Sequence, residues 1–206
     1  MTDPRDRPLH ARDLDPDPLK AFVRWFDEAV AASAFEPEAA ALATATPDGR
    51  PSVRMVLNKG VDERGFAFYT NYGSRKATEL EANPRAALLF HWPELGRQVR
   101  VEGTVERVAR EDSERYAQSR SPGSRLSALA SPQSRPVPSR EWLEERVAEL
   151  AAEHKDGDIP LGEHWGGYRL RPEAFEFWQH RPDRLHDRFR YEPAEGGAWR
   201  VERLGP

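Results

Sequence analysis

The 206 residues contain no cysteine. This excludes disulfides, cysteine-ligated zinc, iron–sulfur clusters and a thiol nucleophile, and it suits a reducing compartment. No apolar run approaches the ~20 residues that a membrane-spanning helix needs. The first 20 residues carry charge and proline where a secretion signal requires an apolar block. A cytoplasmic protein with no membrane partner is expected. Basic excess is also absent: 31 Lys and Arg face 35 Asp and Glu, a formal charge of −4, which argues against a nucleic-acid partner. Neither a His-x-x-x-His spacing nor a nucleophile elbow occurs, so no metal site and no serine triad are read. Lysine is scarce, with only Lys20, Lys59, Lys76 and Lys155. In so arginine-rich a chain, a surviving lysine points to a place that needs a compact ammonium.

What is present reads as one domain, 1–206, mainly β with flanking helices. Residues 1–18 are rich in Pro, Asp and Arg, and 1–14 are expected to be mobile. An amphipathic helix is predicted over 17–33, capped by Asp15 or Asp17, with Leu19, Phe22, Val23, Phe26 and Val30 on one stripe. Ala41–Thr46 and Ser52–Lys59 form a hairpin about Pro47-Asp48-Gly49. Strands follow at Gly65–Asn71, Ala86–Trp92 and Gln98–Val108, with a short helix at Ser74–Glu81. This pattern suggests a closed or half-closed antiparallel barrel. Glu111–Gln118 is helical. The Ser/Pro/Arg-dense residues 119–138 have the composition of a flexible linker. Arg140–His154 is a second amphipathic helix with Trp142, Leu143, Val147 and Leu150 inward. Strands return at Gly167–Leu170, Phe175–Gln179, Leu185–Tyr191 and Trp199–Leu204.

Chemistry concentrates in a few stretches. In residues 175–188, Trp178 offers a flat plate, and Arg184, His186 and Arg188 alternate, which places them on one side of an extended strand. Such a face suits something flat and anionic, although solvated arginines on an edge strand give the same pattern. Arg54 and Lys59, five apart, fall on opposite faces of a regular strand, or on one side of a bulged one. Tyr69 to Lys76 runs from a strand end into a helix start, where Thr70 and Ser74 hydroxyls, free amides, Arg75 and Lys76 suit a phosphate; Ser74 is also a candidate cap. Gln98 beside Trp92 has an amide able to donate and accept at a heterocycle edge. Tyr116, Arg120, Ser124, Gln133 and Ser134 add hydroxyl, guanidinium and amide groups. Anion and ring-edge ligands without a nucleophile imply a bound cofactor that performs the chemistry.

The runs Phe-Glu-Phe-Trp-Gln…Arg-Leu-His-Asp-Arg (175–188), Arg-Met-Val-Leu-Asn-Lys (54–59), Phe-Tyr-Thr-Asn-Tyr-Gly-Ser-Arg-Lys (68–76) and Gly-Arg-Gln-Val (96–99) resemble, in order and spacing, the pyridoxine/pyridoxamine 5′-phosphate oxidase family of vitamin B6 metabolism. The likeness spans Arg12 to Pro206. It implies an FMN-binding split β-barrel and a homodimer with two FMN sites at the subunit interface. Arg54, Arg75, Lys76, Gln133 and Ser134 would hold the FMN phosphate and ribityl chain. Met55, Val56, Leu57, Asn58, Lys59, Tyr69 and Thr70 would complete the pocket, and Gln98, Trp178 and Arg188 would flank the ring. Lys59, Tyr116, Arg120 and Ser124 would grip the substrate phosphate. Arg184 and His186, the catalytic pair, would lie with Leu185 over the pyridine. The implied reaction is oxidation at C4′ of pyridoxamine or pyridoxine 5′-phosphate to pyridoxal 5′-phosphate, with O2 as acceptor and hydrogen peroxide released. Two alternatives remain open here: a related split-barrel oxidase of a secondary pathway, of the phenazine type, and a non-catalytic carrier of flavin or pyridoxal phosphate. Asn58 stands where the family more usually has an apolar residue, and no Tyr precedes Tyr69 in the N-terminal region that covers the substrate in relatives.

Overall fold

A computed structural model describes residues 4–206. Its elements in chain order are α1 (Pro18–Ala31), β1 (Ala39–Ala45), β2 (Pro51–Asp62), β3 (Gly65–Asn71), α2 (Arg75–Ala82), β4 (Arg85–Trp92), β5 (Arg97–Arg107), α3 (Arg110–Ser119), α4 (Pro122–Ala130), α5 (Arg140–Glu153), β6 (Trp165–Gln179), β7 (Asp187–Pro193) and β8 (Trp199–Leu204). The antiparallel order β3-β2-β1-β4-β5-β6 closes on itself through β3–β6, while β7 and β8 continue outward from β6. Closure removes the barrel's free edges.

Local chemistry explains most boundaries. The Asp17 side chain accepts from Leu19 N at 2.9 Å, with Pro18 at the first helical position, so α1 starts as expected. Gly49, at φ +87°, closes the β1–β2 hairpin by donating to Thr46 O. The barrel interior is aromatic: Phe22 of α1 meets Phe66 and Phe90 edge-on at 4.8 and 4.7 Å, and Trp25 meets Phe177 at 5.1 Å. These bulky rings decide which side of α1 turns inward. Phe22, Trp25 and Ala29 are buried, and Val23 and Val30 of the expected stripe are exposed.

Other expectations are corrected as well. Gly167–Leu170 and Phe175–Gln179 are one strand, β6, bent by a bulge: Glu102 pairs with Ala174 and Gly103 with Pro172. Pro172 is tolerated there, and a Cβ on Gly103 would strike Arg171 O at 1.9 Å. Residues 119–138 are not a linker, because Ser121 caps α4 with Pro122 next in line. Trp142 is exposed and only Leu150 of α5 is fully buried, since α5 packs on a narrow cluster of Leu126, Ala130 and Ile159. The segment expected to be mobile has a seat on the barrel over its described part. Leu9 and Leu14 are buried, and Leu9 N donates to Asp187 Oδ2 at 3.0 Å. Residues 1–3 of that segment lie outside the described residues.

Candidate functional site

Two separate groups of the expected residues form in one chain. The first surrounds a cleft of about 650 Å³ lined by Leu57, Tyr69, Thr70, Tyr116, Arg120, Ser124 and Gln133, with Trp165 at its wall. Behind it lies a cationic cluster. Lys76 is buried, and its Nζ donates to Thr70 Oγ1 at 3.0 Å and Gln133 Oε1 at 3.1 Å. Among the described residues no carboxylate pairs with it. Burial, and then the neighbouring charge of Arg54, lower its pKa to about 8. Arg54 and Arg75 instead share Glu79, at 3.3 and 2.8 Å. Burial pushes the Glu79 carboxyl up, but hydrogen bonds from Ser52, Thr44, Arg75 and Arg54 prevail and hold it at about 2. Two of the three cations share one carboxylate and Lys76 has none among the described residues, and this surplus positive charge suits a phosphate.

The loop that delivers Gln133 turns at Ser134, whose φ of +69° is a left-handed conformation unusual for a residue with a Cβ. Ser74 is fully buried but does not cap α2 with its side chain. Its Oγ faces Lys76 Nζ at 3.4 Å instead. On the other side of the cleft, Arg120 precedes α4, whose first turn presents Ser121, Gly123 and Ser124. No carboxylate pairs with Arg120 among the described residues. Lys59 is turned to Glu38 at 3.1 Å and does not line the cleft. Of the 54–59 run, Met55 and Leu57 point outward from the barrel and Val56 packs on the core. Asn58 is buried, and its amide reaches the Gly60 and Ala67 carbonyls at 3.1 and 3.2 Å. This polar residue is thus satisfied inside the sheet, where β2 shifts register against β3.

The second group lies on β5, β6 and β7. Gln98 is the direct partner of Trp178, and Trp178 of Arg188, so the three form one row on the outer face, opposite the buried Val99, Phe177 and Phe189. Glu176 fixes Arg188 at 2.8 and 3.1 Å. His186 packs beside Trp178, with ring centroids 4.5 Å apart. Its Nδ1 accepts the Arg181 N–H at 3.1 Å, which leaves the neutral ring's proton on Nε2. Burial, then His180 and Arg184, lower its pKa. The expectation that Arg184, His186 and Arg188 share a strand face is corrected: Pro182 breaks the strand, Asp183 and Arg184 take φ +55° and +61°, and β7 begins at Asp187. Arg184 and Leu185 project into solvent.

The groups sit at opposite ends of β6. Trp165 begins the strand and Trp178 nearly ends it, 13 residues on, roughly 40 Å of extended chain. A single small ligand does not bridge that span. Sequence reasoning missed Trp165, because an aromatic at a strand start carries no local mark of a site. It also missed α4, although Ser121-Pro122 followed by Leu126, Leu129 and Ala130 was a readable helix start.

Fold and site define a split-barrel protein with a buried cationic cluster, a neighbouring cleft, and an aromatic–guanidinium wall at the far end of the same strand. The chain belongs to the pyridoxamine 5′-phosphate oxidase family. Residues 26–154 match the family model described as pyridoxamine 5′-phosphate oxidase, and 165–206 match that of the pyridoxine 5′-phosphate oxidase C-terminal dimerisation region. A pyridoxine/pyridoxamine 5′-phosphate oxidase of Rubrobacter xylanophilus is 59% identical over 93% of this chain and 88% of its own. One from Cupriavidus pinatubonensis is 56% identical over 96% and 93%. Among solved structures, PhzG from Burkholderia lata 383, in complex with tetrahydrophenazine-1-carboxylic acid, superposes with a TM-score of 0.91 at 35% identity, covering 98% of this chain and all of that one.

Proposed function

We propose that the chain is a homodimeric flavin oxidoreductase that oxidises pyridoxamine and pyridoxine 5′-phosphates to pyridoxal 5′-phosphate, with FMN as its cofactor, O2 as acceptor and hydrogen peroxide as by-product. The observation that carries this reading is the separation of the two residue groups along β6. A second copy, apposed through the outer sheet face, supplies the wall that each cleft lacks, and 1–206 acts as one folded unit. The matched dimerisation region supports that arrangement.

The residues fit FMN. A buried ammonium with hydroxyl and amide neighbours but no carboxylate is satisfied by a phosphate. Lys76, Arg54, Arg75, Thr70, Gln133 and Ser134 would hold the phosphate and ribityl chain; Tyr69 and the 55–59 segment would line the pocket. The partner copy's Gln98–Trp178–Arg188 row would flank the ring. When bound, FMN supplies the hydride acceptor. Tyr116 of α3 with Arg120 and Ser124 at the start of α4 would take the substrate phosphate, joined by Lys59 when it leaves Glu38. Arg184 would cover the pyridine, and His186 would donate from Nε2 to a ring substituent. Their task is orientation, because stacking the rings sets C4′ against the acceptor.

PhzG was solved with a ligand that bears a carboxylate and no phosphate in its name. Here the unpaired Arg120 at a helix start favours a dianion, as do the two vitamin-phosphate relatives above 55% identity. Purified protein should be yellow, hold one FMN per subunit, and release peroxide with pyridoxamine 5′-phosphate in air. A colourless protein that takes up no FMN would overturn the reading. Flavin binding without turnover of either phosphorylated vitamer would leave a carrier.

A further inference from the structure

We propose that Trp165 is a positioning residue for substrate, acting through Arg120; this rests on the substrate reading above. Trp165 is buried at the start of β6 and lines the cleft. Its ring is parallel to those of Tyr69 and Tyr116, with interplanar angles of 11° and 6° and centroids 5.7 and 5.9 Å away. Tyr69 and Tyr116 stack on each other at 3.9 Å. The Arg120 guanidinium carbon stands 5.3 Å from the Trp165 ring centroid. No ion pair or side-chain hydrogen bond orients Arg120 among the described residues, so the indole is the contact that aims it.

The backbone is shaped for this stack. A Cβ on Gly167 would lie 2.7 Å from Tyr69 Cε1, so the missing side chain lets Tyr69 settle against the strand, parallel to Trp165. A carboxylate beside Arg120 would hold it equally well but would cancel the charge offered to an anion. An aromatic face orients the guanidinium and leaves its N–H groups free. Trp165 thus resolves a conflict between holding a cation still and keeping it available.

The test uses FMN-loaded Trp165→Leu, Trp165→Phe, Arg120→Ala and the double variant Trp165→Leu/Arg120→Ala. Trp165→Leu should raise KM for pyridoxamine 5′-phosphate about tenfold and leave kcat within about twofold. FMN content should not change. The dissociation constant of pyridoxal 5′-phosphate, titrated by absorbance, should weaken by the same factor, and that of unphosphorylated pyridoxal should not move. Trp165→Phe, which keeps a ring face, should stay within about threefold of the wild type. In the Arg120→Ala background, Trp165→Leu should add nothing. Where Trp165→Leu does not load FMN, Trp165→Met fills the volume without a ring and takes its place. An unchanged KM, equal weakening for pyridoxal, or a full effect without Arg120 overturns the assignment alone. A wild type that neither oxidises nor binds phosphorylated vitamers overturns the functional reading and this assignment with it.

Discussion

Lys76 Nζ lies 3.1 Å from Gln133 Oε1, and the two residues come from the start of α2 and from the loop after α4. The contact joins the barrel to the α3–α4 region at a buried cation. It should set the pH behaviour of cofactor binding. The folded protein holds Lys76 at a pKa of about 8, and a bound phosphate would raise it. FMN binding near pH 8.5 should therefore take up protons, and affinity should fall as pH rises above 8. Without cofactor the sign reverses for stability: between about 8 and the unfolded lysine value of ~10.4 the folded state binds fewer protons, so Lys76 makes stability rise with pH there. Calorimetry in buffers of different ionisation enthalpy checks the proton uptake. In Lys76→Met it should vanish and FMN affinity should drop about 10- to 100-fold.

Glu79 gives stability the same direction with pH, but in the acid range. Its folded pKa of about 2 lies below the unfolded carboxylate value, so its contribution is complete above the unfolded pKa and disappears as pH falls from about 4.5 to 2. Glu79→Gln should cost about 2–3 kcal/mol at pH 7 and flatten the acid limb of stability. Urea unfolding of the cofactor-free protein at pH 7 and pH 3 reads both effects.

Arg184 tests the division between binding and turnover. It projects from a left-handed turn at φ +61°, remote along β6 from the Lys76 cluster of its own chain. Arg184→Ala should lower kcat/KM for pyridoxine 5′-phosphate about 100-fold or more, with the FMN-to-protein ratio unchanged. Loss of flavin with normal turnover per bound FMN would contradict its assigned role.

Complementation tests the shared site. Arg120→Ala and Arg184→Ala should each impair both sites of a homodimer. A mixed dimer concentrates both lesions in one site and leaves the other intact. Subunit exchange between the two impaired proteins should restore roughly a quarter of wild-type activity for an equal mixture. No recovery despite demonstrated exchange would mean that each chain builds its site alone.

The strands and helices were largely legible because their causes are local: Asp17-Pro18 starts α1, Pro47-Asp48-Gly49 turns β1 into β2, and Asn83-Pro84 stops α2. The chemical character of the candidate site was legible for the same reason, since guanidinium, amide and hydroxyl groups crowd a few short stretches. Where the expectations failed, a distant partner intervened. Trp25 displaced Val23 from the buried side of α1 because the barrel interior accepted the larger ring. Pro182 and the left-handed Arg184 broke an alternation that a regular strand would have kept.

By itself, then, the order of residues determined which short segments form and which charges each carries, because backbone propensity and turn chemistry act over a few positions. Only the folded barrel decided that Gln133 reaches Lys76, that Trp165 lies under Arg120, and that the Trp178 wall stands at the other end of β6 from the cleft. Those relations depend on strand register and closure between segments tens of residues apart, and no local pattern encodes a distance across a sheet.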